Sequence, residues 1–137
     1  MKFLKSWTFK DERLSQVHIE HKGHIFEGSA MCHPDDDWSE FTGCKFAELR
    51  AILAALKAEY REEKLKLDAI KDFINATSQY KKFDNESGTA KAMYRQYNRR
   101  VKKLEELAED ITAVKSAIAG RLKALESIQK KKQSKES

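Results

Sequence analysis

At 137 residues the chain offers one domain's worth of core at most. It carries 27 basic and 22 acidic residues, a net charge of +5, so it is dense in both signs rather than a purely basic binder of nucleic acid. A single Pro and five Gly, beside many Lys, Glu, Ala and Leu, make the composition of long helices. Cys32 and Cys44 are the only cysteines, which is the usage of reduced thiols. The opening MKFLKSWTFKDERL has no long apolar run of the signal-peptide kind. Nor does any stretch approach the roughly 20 apolar residues of a membrane span. The expectation is a soluble cytoplasmic protein without a membrane partner.

Residues 1–38 read as a small antiparallel β-sheet. In FLKSWTF, Leu4, Ser6 and Thr8 alternate with Phe3, Lys5, Trp7 and Phe9. In QVHIEHKGHIFEGSAMC, Val17 and Ile19 alternate with His18 and Glu20, and Lys22-Gly23 breaks the run as a hairpin turn would. Such a sheet has too few strands to bury both faces alone and needs a helix or another subunit.

From Ser39 the period changes to steps of three and four, through Phe46, Leu49, Leu53, Leu56, Tyr60, Leu67, Ile70 and Ile74. This predicts an amphipathic helix over 39–83. FDNESG then reads as a break, with Asp84, Asn85 and Gly88 as turn residues. A second helix is predicted over 89–130, opened by Thr89 as N-cap. It carries Tyr94, Tyr97, Val101, Leu104, Ile111, Val114, Ile118, Leu122, Leu125 and Ile128 at nearly heptad spacing. Residues 131–137 read as a disordered tail. The fold class is therefore α+β: one domain over 1–137, a small sheet followed by a hairpin of two long antiparallel helices. Each helix would be about 60 Å long. The sheet cannot cover that length, so the remaining apolar stripe calls for a second copy of the chain.

Two stretches carry candidate chemistry. In MCHPDDDWSEFTGC, Pro34 ends a strand, and Asp35, Asp36 and Asp37 stand where a helix N-terminus favours negative charge. Ser39 or Thr42 can cap the first amides. Capping explains this stretch better than metal binding. Cys32, His33 and Cys44 with one of His18, His21 or His24 lack the usual zinc spacing, and aspartates holding magnesium would want phosphates to share it. No metal, no cofactor and no catalytic residue is expected. The nucleophile–base pairs and Gly-rich phosphate loops of enzymes are missing. In TAKAMYRQYNRRVKK, six basic residues and no acid lie between Lys91 and Lys103, interleaved with Tyr94, Tyr97 and Asn98. Arg binds phosphate bidentately and aromatic rings stack on bases. One face of this helix can pack while the other meets a ligand.

Ala30, Cys32, Pro34 and Asp36, followed by Gly43, Ala47, Arg50 and Ala51, make a pattern of small residue-x-Cys-x-Pro-x-Asp and Gly-x-x-x-Ala-x-x-Arg-Ala. With the N-terminal hairpin and two long helices, the whole chain resembles the phage Thoeris anti-defence sponge family. The resemblance implies a protein that is not an enzyme. It would bind and sequester a cyclic ADP-ribose isomer without degrading it, in the host cytoplasm. It further implies a homo-oligomer, hexameric in the family, and sites for cyclic di- or trinucleotides in some members. The candidate ligand-binding residues are Arg50, Arg95, Arg99 and Arg100 for phosphates, Phe83, Tyr94, Tyr97 and Trp38 for stacking, and Asn98 with Asp35, Asp36 and Asp37 for ribose hydroxyls. Nucleic acid is not expected as a partner. The alternative is a coiled-coil structural or interaction protein of a phage with no small ligand.

Overall fold

The structure, a computed structural model, describes residues 1–32, 40–79 and 88–136. Three strands, β1 (Lys2–Phe9), β2 (Leu14–His21) and β3 (His24–Met31), precede two helices, α1 (Glu40–Gln79) and α2 (Gly88–Glu136). The fold is α+β, as the change of period from two to 3.5 predicts. The sheet is antiparallel in the order β1-β2-β3. Lys22 and Gly23 join β2 to β3 with φ of 52° and 79°. Positive φ at both central residues matches the strand twist, and Gly takes it without strain. The β1–β2 loop closes through the Arg13 amide, which donates to the Lys10 carbonyl at 3.2 Å. The Arg13 carbonyl in turn accepts from the Cys32 amide at 3.0 Å, pinning the end of β3 to that loop.

One detail departs from strict alternation. Phe3 pairs with Ile19 and Lys5 with His18, so Leu4 is an extra residue on β1. Such a bulge shifts the register by one. It places Phe3 in the cross-strand row of Ile19, not on the face of Lys5, Trp7 and Phe9.

Contacts group the chain into two units, through which both helices run: Met1–Leu56 with Ile111–Ser137, and Lys57–Asp110. In the first unit, the inward residues Val17 and Ile19 of β2 and Ala30 of β3 pack on Phe46, Ala47, Ala51 and Ala55 of α1. Phe26, Ile52, Ile118 and Leu125 pack against this core. The alanines at 47, 51 and 55 repeat every four residues, which makes one flat edge on the helix. Gly28 meets that edge. A Cβ there would stand 1.9 Å from the Ala47 carbonyl oxygen and 2.4 Å from the Ala51 amide. Helix backbone thus rests almost directly on strand backbone.

In the second unit the helices run antiparallel, since Glu59 meets Lys103 while Glu63 meets Arg100. Along α2, Leu107 is buried, and Tyr97, Val101, Leu104, Ile111, Val114, Ile118 and Leu125 are half-buried. Two boundaries differ from the sequence reading. Gly88 is the first residue of α2 rather than a turn residue before Thr89. And α2 continues through 131–136, where a disordered tail was expected. Straight-chain Lys, Gln and Glu propagate a helix well, and neither Gly nor Pro interrupts them. The proposed capping by Asp35, Asp36, Asp37 and Ser39, and the turn at Asp84 and Asn85, lie outside the described residues.

Candidate functional site

The basic segment of α2 divides by direction. Arg100 and Lys103 turn toward α1. The Arg100 guanidinium donates to a Glu63 carboxylate oxygen at 3.0 Å. Lys103 reaches Glu63 at 3.5 Å and Glu59 at 3.6 Å, and Lys66 comes within 3.7 Å of Glu63. Both carboxylates are buried, with Glu63 side-chain exposure only 7%. Burial pushes the Glu63 carboxyl up, but the charges of Lys103, Lys66 and Arg100 and the Arg100 hydrogen bond outweigh it. The carboxyl is held below its ordinary range and stays ionised.

Lys91, Arg95, Arg99 and Lys102 turn the other way and are exposed. They sit at steps of four, four and three, which is one row on a helix. None of the four makes an ion pair among the described residues. Asn98, one turn from Arg95, is exposed, and Tyr94 is 38% exposed. Tyr97 is half-buried, in line with Leu104 seven residues on. The structure therefore gathers Tyr94, Arg95, Asn98 and Arg99 on two adjacent outward rows of α2 and turns Tyr97 away from them.

Arg50 stands in the other unit. Its guanidinium donates to the Ser29 carbonyl at 2.8 Å and lies 6.0 Å from the Phe46 ring centroid. It ties α1 to β3, an edge strand, and satisfies an acceptor there. Phe83, Trp38, Asp35, Asp36 and Asp37 lie outside the described residues. Among the described residues no group of three or more His, Cys, Asp and Glu is placed to hold a metal ion. The Cys44 sulfur instead approaches the Thr8 hydroxyl at 3.9 Å. No helix among the described residues is long and apolar enough to cross a membrane.

Glu59 and Glu63 did not emerge from the sequence reading, although a signal was present. Leu56, Glu63 and Ile70 form a seven-residue series on α1, as Arg100, Leu107 and Val114 do on α2. One charged member in each seam series, of opposite sign, is the mark of a polar pair between helices. Comparison with known proteins gives no match to a family model, a curated protein or a solved structure.

Proposed function

We infer that the protein is a non-catalytic nucleotide sponge, holding a cyclic ADP-ribose isomer intact. The observation that carries this reading is the outward Arg95 and Arg99, one turn apart, with Asn98 and Tyr94 beside them. Two guanidinium groups at that spacing suit a diphosphate, an exposed ring suits a base, and a side-chain amide suits ribose hydroxyls. The resemblance at residues 30–51 supports the same ligand class. A helix face is convex, whereas small-molecule sites are concave. The reading therefore requires a second copy of the chain to close the pocket, within the homo-oligomer the resemblance implies, a hexamer. Cyclic di- or trinucleotides are the additional ligands on this reading, and the host cytoplasm its place of action.

Charge-assisted hydrogen bonds to a diphosphate are worth about 1.5–3 kcal/mol each. A stacked base adds about 1–3 kcal/mol. Several together reach the roughly 12 kcal/mol of a nanomolar complex, which a sponge needs because it turns nothing over. Calorimetry with cyclic ADP-ribose isomers tests the proposal. Arg99→Glu weakens binding at least about a hundredfold, which is near 3 kcal/mol, without melting the helix. Mass spectrometry of the heat-released ligand recovers it unchanged. A linear product would mean an enzyme. Absence of binding to every isomer would favour the second reading, a coiled-coil interaction protein, which the half-buried seven-residue series of α2 supports by itself.

A further inference from the structure

Charge is nearly balanced over the whole chain, which speaks against nucleic acid, but along α2 the balance is not local. From Gly88 to Leu104 the sequence holds six cations and no acid, and Glu105 is the first carboxylate after them. Packing then sorts the six. Arg100 and Lys103 meet the buried Glu63 and Glu59. Lys91, Arg95, Arg99 and Lys102 remain exposed. At about 100° and 1.5 Å per residue, those four stand within about 80° of arc and along about 16 Å of helix. This ridge is longer and more charged than a cyclic ADP-ribose requires, since Arg95 and Arg99 alone match a diphosphate.

We propose that the ridge binds the backbone of single-stranded nucleic acid. A stacked strand carries one phosphate per about 3.4 Å, so the ridge faces about four or five nucleotides. That is the low end of the site sizes of single-strand binders. A linear ligand lies along a convex helix and needs no cavity, whereas a small molecule does. One chain therefore suffices. Tyr94 and Asn98 flank the ridge on one side, both exposed. A ring there stacks on a base only where the base is unpaired, and this selects a single strand over a duplex. The same ring separates nucleic acid from inorganic polyphosphate, which has the charge but no base. This ligand goes beyond the cyclic nucleotide: Arg95 and Arg99 are common to both, while Lys91 and Lys102 belong to the ridge alone. Each cation that meets a phosphate releases a counterion, so log affinity should fall against log salt with a slope of about −0.7 per cation, or about −2.8 for four.

Fluorescence anisotropy of an end-labelled oligothymidylate of about ten nucleotides, titrated with the full chain, tests this. The expected result is micromolar binding at low salt that weakens about fiftyfold between 50 and 200 mM. Lys91→Ala combined with Lys102→Ala lowers the slope to about −1.4 and leaves calorimetry with cyclic ADP-ribose isomers as in the wild type. Absence of heat from both proteins would end the sponge reading without touching this one. Tyr94→Ala weakens the single strand by about tenfold. Lys64→Ala combined with Lys71→Ala, two exposed lysines of α1, is the control of equal charge and should change little. Circular dichroism of every variant shows that the helices persist. No change of anisotropy at 50 mM salt overturns the proposal, as does a slope that the Lys91 and Lys102 substitutions leave unchanged. So does an equal loss from the α1 pair, or a duplex or inorganic polyphosphate that competes as well as the oligonucleotide, because those outcomes reduce the ridge to unspecific positive charge.

Discussion

Gly28→Ala tests the close approach of α1 to β3. The added methyl would meet the Ala47 oxygen at 1.9 Å, the Ala51 nitrogen at 2.4 Å and the Ala51 Cα at 3.0 Å. All three are backbone atoms, so no rotamer change can clear them. The helix must retreat from β3 by about 1 Å or more to reach an ordinary separation. Overpacking of this kind costs about 1–3 kcal/mol, and a gap of about 1 Å forfeits up to half of each lost dispersion contact along Val17, Ala30 and Ala51. Together these give about 3 kcal/mol, or a melting temperature lower by about 10 °C for a chain of this size. Gly120→Ala is the control. It lies within α2 with nothing inside 4 Å of the added atom. There the same substitution should stabilise by about 0.5–1 kcal/mol through helix propensity. Urea melts of both variants decide the matter. A change below about 0.5 kcal/mol at Gly28, or the same sign at both positions, would refute the close-packing argument.

Three further outcomes are expected. Ser15 is fully buried and its hydroxyl has no hydrogen-bond partner among the described residues; Ser15→Ala should raise stability by about 1 kcal/mol in urea melts, and a loss would mean the hydroxyl is bonded in solution. Glu63→Gln should cost about 1–2 kcal/mol, less than the 3–5 of a fully buried pair, because Arg100 and Lys103 are 32% and 42% exposed. Glu63 titrates below its unfolded value, so its contribution is present above the ordinary carboxylate range and is lost as pH falls through the folded value. The stability gap between wild type and Glu63→Gln should therefore close as pH drops below about 4, and a gap unchanged from neutral pH would contradict the ion pairing. Leu104→Asp puts a carboxylate on the half-buried seam of α2 and should cost about 2–3 kcal/mol, read by thermal melts, with light scattering to follow assembly.

The architecture was legible because each element has a period. Val17 and Ile19 against His18 and Glu20 announce a strand, and Tyr97, Leu104, Ile111, Ile118 and Leu125 announce a helix with a seam. Lys22-Gly23 announced its turn because Gly takes positive φ freely. The bulge at Leu4 was not legible, since nothing in FLKSWTF distinguishes a skipped partner from plain alternation. The candidate site was legible as a segment but not as a surface. Basic residues occur all round α2 between Lys91 and Lys103, so composition cannot say which of them meet solvent. Carboxylates on α1, distant in sequence, make that division.

Those carboxylates also constrain how the helices pair. With Glu63 level with Arg100, a slip of one heptad would set Glu63 against Met93 or Leu107. A buried carboxylate would then lie on an apolar neighbour with no cation, at a cost of several kcal/mol. An apolar pair at these positions would tolerate the slip far better, because one heptad replaces one apolar layer by another. The polar pair thus contributes less to stability than to uniqueness of register. Register in turn fixes rotation. Once Arg100 is held against α1, Arg95 and Lys102 fall on the far side of the helix, and Arg99 stands at the edge of that row, one turn from Lys103. A contact buried between the helices thereby determines which cations the protein presents on its surface.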